Sequence, residues 1–183
     1  MNPIKFQEND DKFRELILYI AERSVDDPTF GATKLNKLLW AADMAAHREL
    51  GHPITGVKYV KEVLGPVPER LVYIRDSMIE DGDLCIQLVD RFGKVQKRPI
   101  HRRKAKLAEF TAEEISITDR MIQSFWRVDA SGMTTWSHEH LGWQIVGYRE
   151  EIPYHTIFLC DRPPTQYEIE RGLALADKLG WNV

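Results

Sequence analysis

Apolar residues recur every three or four positions over long stretches of this chain, the spacing of helices that bury one face. In KFRELILYIAERS they are Phe13, Leu16, Ile17, Ile20 and Ala21, with Asp10 or Asp11 as the expected N-cap. DDPTFGAT interrupts this helix. Thr33 is then placed to cap KLNKLLWAADMAAHREL, whose apolar face is Leu35, Leu38, Leu39, Ala42 and Ala46, and Gly51 and Pro53 end it. ITGVKYVKEVLGPVP reads as an extended segment with a tight turn. Pro68 suits the first position of a third helix over ERLVYIRDSMIED, which Gly82 closes. LCIQLVD and KVQKRPI, on either side of RFG, read as a hairpin.

The second half opens with TAEE, a capping box of Thr111 and Glu114, ahead of Ile115, Ile117, Met121, Ile122 and Phe125 at helical positions. A turn at DASGM leads into TTWSHEHLGW. A second capping box, Thr165 with Glu168, starts a last helix, YEIERGLALADKL, which Gly180 ends. These elements predict one compact, mainly α domain over residues 1–183 with a small β-hairpin, inserted as a basic segment at about 84–106.

Composition narrows the class. A chain of 183 residues suits one domain that buries roughly 70% of its unfolded surface. Its 43% hydrophobic and 29% charged residues are those of an ordinary globule. A net charge of −3 supplies no general basic field for nucleic acid. Cys85 and Cys160 stand far apart without ligand or redox spacing, and read as buried thiols in a reducing compartment. The start MNPIKFQENDDK has no apolar signal core, and no apolar run approaches the 18 or so residues needed to span a bilayer, so the expected location is the cytoplasm.

Two stretches carry candidate chemistry. TTWSHEHLGW holds His138 and His140, but a zincin helix needs its histidines four apart. Two apart, they diverge by about 200° on a helix. A third ligand from Glu150, His155 or Asp161 has no spacing to support it, and Ser137 beside His138 lacks a nucleophile elbow. The plainer reading makes Ser137 a cap, lets His138 bond a backbone group, and sends Trp136 and Trp143 into the core. No metal, no cofactor and no catalysis are therefore expected. A metal-dependent hydrolase at His138 and His140 is the weaker alternative.

The other stretch, KVQKRPIHRRKAK, holds seven Lys or Arg and no acid; the candidates for a basic patch are Lys94, Lys97, Arg98, Arg102, Arg103 and Lys104. A basic hairpin after three helices has the layout of a winged helix whose wing meets DNA phosphates. It equally suits a solvated rim that keeps an edge strand from pairing, or an acidic protein partner. KLNKLLWAADMAAHREL offers only Lys34, Asn36 and Lys37 for base reading, so at most weak nucleic-acid binding is expected.

Three stretches in order go further: TKLNKLLWAADMAAHRELGHPITGVKYVKEVLGPVPERL, TTWSHEHLGW and EEIPY. Together they resemble the Panacea domain, the SocA-like antitoxin family, from about Thr33 to Tyr154. The residues that carry the pattern are Lys34, Leu35, Lys37, Leu38, Gly65, Pro66, Ser137, His138 and Trp143. The resemblance implies a non-enzymatic antitoxin of a toxin–antitoxin system, in some members phage-associated, that neutralises a cognate toxin protein by direct binding. Some relatives deliver the toxin to a protease complex. For this chain the expected toxin contacts are Trp40, off the main apolar face of its helix, with Tyr59, Lys61 and Arg70 around the GPVP step. A winged-helix-like nucleic-acid-binding regulator remains the alternative.

Overall fold

The computed structural model describes residues 6–91 and 93–180, without the side chains of Arg91 and Lys94. Lys94 of the expected basic patch thus has its side chain outside the described residues. As expected, the fold is mainly α with small β-hairpins. The described residues form seven α-helices and two two-stranded antiparallel sheets.

Helix α1, Asp10–Arg23, is capped one residue earlier than expected. The Asn9 side chain accepts from the Lys12 backbone N–H at 2.9 Å, while Asp10 and Asp11 sit in the first turn, where their charge suits the helix dipole. Helix α2, Ala32–Leu50, starts from Gly31 without a side-chain cap, so Thr33 lies inside the helix rather than ahead of it. A Cβ on Gly31 would run into Gln96, whose side-chain amide donates to the Thr29 carbonyl. The strand thus passes close across the start of the helix. Gly51 ends α2 in the left-handed conformation, as expected.

Helix α2 forms the centre of the molecule. It packs against α1, against α4 (Ala112–Ser124) and α5 (Ala130–His138), and against strand β2 (Gly65–Pro68). Nearly every side chain from Lys34 to His47 is buried as a result, on all faces and not only on the predicted stripe. Trp40 is 1% exposed, enclosed by Trp136 and His140.

The GPVP step is a strand. β1, Tyr59–Glu62, pairs antiparallel with β2, running from Tyr59 opposite Pro68 to Glu62 opposite Gly65. Pro68 therefore ends a strand rather than opening a helix, and α3, Leu71–Glu80, begins after Arg70. Prolines are tolerated there because this two-stranded ribbon leaves their positions without a required backbone donor. The basic hairpin forms as expected: β3, Leu84–Arg91, pairs with β4, Lys94–His101, from Leu84 opposite His101 to Arg91 opposite Lys94.

Both capping boxes are present, opening α4 at Thr111 and the last helix α7, Gln166–Leu179, at Thr165. Between them α6, Leu141–Ile145, follows α5 directly. Of the two cysteines, Cys85 is only partly buried and Cys160 is exposed. Cys160 leaves the core because it follows the 3-10 turn at Tyr154–Phe158, in a stretch running along the surface. Among the described residues no helix is long and apolar enough to cross a membrane.

Candidate interaction surface

Four of the residues that define the sequence pattern, Lys37, Gly65, Pro66 and Ser137, meet at the turn between β1 and β2. Gly65 has φ +105°, and a Cβ there would overlap the Ser137 hydroxyl and the Lys37 side chain. The turn is thus pressed against α2 and α5, with the Ser137 hydroxyl donating to the Thr134 carbonyl at 2.9 Å. Lys37, 1% exposed, donates to the Pro66 carbonyl at 3.1 Å. Burial alone lowers its ammonium to about 8.

Lys34, one turn earlier on α2, is equally buried but fully paired. Its ammonium reaches Asp27 at 2.5 Å, Thr29 at 3.0 Å, and the carbonyls of Phe125 and Val128 at 2.6 and 2.8 Å. Burial by itself would raise the Asp27 carboxyl, but the bonds from Lys34 and Thr29 hold it below the usual carboxylate range. This lysine ties the start of α2 to the α4–α5 connection. Asp43, fully buried, accepts from Thr55 and from the Tyr59 hydroxyl at 2.7 Å, while the Tyr154 hydroxyl beside it donates to the Val57 carbonyl at 2.6 Å. Burial raises its carboxyl against the lowering effect of those bonds.

His138 and His140 face different neighbours. The His138 ring stacks on Trp143 at 3.7 Å, and His140 meets Trp40 edge-on at 4.7 Å. Burial lowers both imidazoles, with Lys37 and Lys61 adding to the effect at His138 and Arg48 at His140. Among the described residues no group of three or more His, Cys, Asp or Glu could hold a metal ion.

Two expected toxin contacts require correction. Trp40 and Tyr59 are each 1% exposed and offer no outer surface to a partner. Trp40 leaves the apolar stripe of α2 to meet a second layer, α5 and the α5–α6 connection. Tyr59 points inward to Asp43, where its hydroxyl is paired. The other two are accessible. Lys61 lies over the Trp143 ring at 4.3 Å and donates to the Val146 carbonyl at 2.9 Å. Arg70, its side chain 42% exposed, pairs with Asp10.

The basic run divides as well. Arg98 turns inward and donates to the carbonyls of Ser24, Val25, Asp27 and Phe30, closing the α1–α2 loop. Arg103 is held between Glu15 and Asp83 at 2.7–3.0 Å. Its guanidinium holds the Asp83 carboxyl below the ordinary range, and does the same for Glu15 against the opposing effect of burial. Lys97, Arg102 and Lys104 remain exposed.

The sequence reading did not single out the apolar surface at the β1–β2 turn. Val63 and Leu64 are 72% and 57% exposed, and Ile145 and Tyr148 on the neighbouring segment are similarly open. The two segments are held together by Lys61 N–H to Glu150 O at 3.0 Å and Arg149 N–H to Lys61 O at 2.9 Å. The available signal was two adjacent apolar residues at a hairpin turn, where polar residues are the norm.

The comparisons with known proteins cover the same elements. The family model described as antitoxin SocA-like, Panacea domain, matches residues 35–144, more than half of the chain and from α2 into α6. No curated protein and no solved structure matched the chain. The family points to an antitoxin role and a non-enzymatic regulator with a toxin as partner. On the strength of that match, the chain belongs to the SocA-like antitoxin family, as a Panacea-domain protein.

Proposed function

We propose that this protein is the antitoxin of a cytoplasmic toxin–antitoxin pair and neutralises its cognate toxin by direct protein contact. The observation that carries the reading is the family match across α2 to α6. The exposed apolar turn at Val63 and Leu64, next to Ile145, Tyr148 and Lys61, supports a protein-binding surface at that end. Arg70 lies outside this cluster, paired with Asp10.

Co-expression with the neighbouring gene tests the reading. That gene alone should arrest growth; this protein should restore growth and co-purify with the product. Leu64→Asp, at an open position, should leave the thermal midpoint unchanged and weaken the complex at least about tenfold, or 1.4 kcal/mol. A harmless neighbour, or rescue without any complex, would sink direct neutralisation. Delivery of the toxin to a protease is distinguished by the toxin's level: masking leaves it constant, whereas delivery depletes it in cells that contain the protease.

A further inference from the structure

The hairpin of β3 and β4 has two edges, and they are protected unequally. The pair that closes it, Arg91 with Lys94, has two residues between its members and so exchanges both ladder bonds. Alternation then makes Val89–Gln96, Gln87–Arg98 and Cys85–Ile100 the other bonded pairs. The backbone groups of Ile86, Leu88 and Asp90 consequently point away from β4, and those of Val95, Lys97 and Pro99 point away from β3. Pro99 has no N–H to offer, Lys97 is charged and exposed, and β4 packs against α1 and α2. Proline and lysine are residues that keep an edge from recruiting another strand. β3 has neither. It carries no charge from Leu84 to Val89, and among the described residues no backbone bond reaches Ile86, Leu88 or Asp90 from outside the hairpin.

The order of residues along β3 selects the strand that fits this open edge. Around Gln87 the stretch LCIQLVD mirrors itself in polarity. An antiparallel copy centred there sets Ile86 opposite Leu88, Cys85 opposite Val89 and Gln87 opposite Gln87. Apolar meets apolar on both faces, and the two Gln87 amides, exposed in the single chain, meet at the axis. This register also makes Ile86 and Leu88 the bonded pair, which uses the backbone groups left free. Leu88, 66% exposed, gains Ile86 of the second copy as its cross-strand neighbour. An unrelated charged strand would find no counter-charge before Asp90. A two-stranded ribbon is marginal by itself, and a sheet of four strands is not.

We infer that two copies of this chain associate edge to edge through β3, joining their hairpins into one four-stranded antiparallel sheet with its twofold axis at Gln87. The interface is isologous, the same strand contributing to both sides, and the main-chain bonds supply affinity while the mirrored side chains fix the register. The pairing does not depend on the antitoxin reading.

Sedimentation equilibrium of the intact chain tests it. One strand pair is a small interface, so a dimer with a micromolar dissociation constant is expected. Leu88→Pro removes an N–H that β4 does not use, and Leu88→Lys adds an edge charge at an open position. Each should weaken dimerisation at least about tenfold, with the helical circular dichroism unchanged. Val95→Lys, similarly exposed but on β4, should leave the dimer intact. Gln87→Cys in a Cys160→Ser chain should form a disulfide-linked dimer under mild oxidation, because non-bonded antiparallel pairs bring their Cα atoms to about 4.5 Å. A wild-type chain that stays monomeric at about 100 μM overturns the inference. So does a dimer that survives both Leu88 variants, or one that Val95→Lys dissolves while Leu88→Lys does not. A dimer in which the Gln87→Cys link fails to form overturns the axis at Gln87.

Discussion

Lys34 and Lys37 lie one helical turn apart on α2 and are equally buried, yet their electrostatic situations are opposite. Lys34 has a carboxylate and three oxygen acceptors; Lys37 has the Pro66 carbonyl alone among the described residues. An ammonium without a counter-charge is costly to bury, and this is what draws Lys37 down from 10.5 to about 8. Between those two values the unfolded chain binds a proton that the folded chain does not. Stability should therefore rise with pH across that window, by about 3 kcal/mol at most. Urea unfolding at pH 7.5 and 9.5 measures the rise, and Lys37→Met should remove it. A wild-type chain with no gain at pH 9.5 would show that Lys37 is not desolvated in solution. Asp27 makes stability rise with pH in the same sense, but in the acid range. Its lowered carboxyl contributes stability above the usual aspartate range and loses it as pH falls through the folded value.

The β1–β2 hairpin brings Gly65 and Pro66 against Lys37 and Ser137, and Gly65 is the position that makes the close approach feasible. Its φ of +105° excludes ordinary side chains, and a Cβ would collide with Ser137 and Lys37. Gly65→Ala should cost about 1–3 kcal/mol in backbone strain before any steric displacement is counted, and chemical denaturation would measure the loss. An unchanged midpoint would mean that the turn can retreat from α2 and α5. The same hairpin shows where the sequence misleads. Pro68 has the fixed φ of a helix start, but also that of an extended residue, and the pairing of Tyr59 with Pro68 takes the second option. Capping boxes are different. Thr111 with Glu114 and Thr165 with Glu168 satisfy backbone donors within four residues, so their signal needs no knowledge of the rest of the chain.

Across the molecule, charge is distributed differently from its order in sequence. The run at 94–106 looks like one basic surface, but Arg98 closes the α1–α2 loop and Arg103 is locked between Glu15 and Asp83. Among the described side chains of the run, Lys97, Arg102, Lys104 and Lys106 stay open to solvent, enough for about four phosphate contacts. Any DNA binding should then be weak and indifferent to sequence, with a log–log salt slope of about −4 from these groups, at about −0.9 per phosphate. A fluorescence titration at several salt concentrations checks this. A preference of about 10³-fold for one operator at physiological salt would instead favour the winged-helix reading.

Local signals were legible in the residues: helices with a repeating apolar face, the two capping boxes, the glycine stop after α2, the basic hairpin and the mainly α class. Each depends on contacts within a few positions, which neighbouring residues alone can satisfy. The ordered family motifs were legible too, because they recur as short strings. The direction taken by single large or charged side chains was not. Trp40, Tyr59, Arg98 and Arg103 all turn inward, to partners as far as 100 positions away in the chain. Such a side chain is buried or exposed according to which distant element arrives beside it. α2 is enclosed on every face by elements from both halves of the chain, a fact that no periodicity within α2 encodes. For the same reason the open turn at Val63 and Leu64 emerges only once α2, α5 and the β1–β2 hairpin have packed.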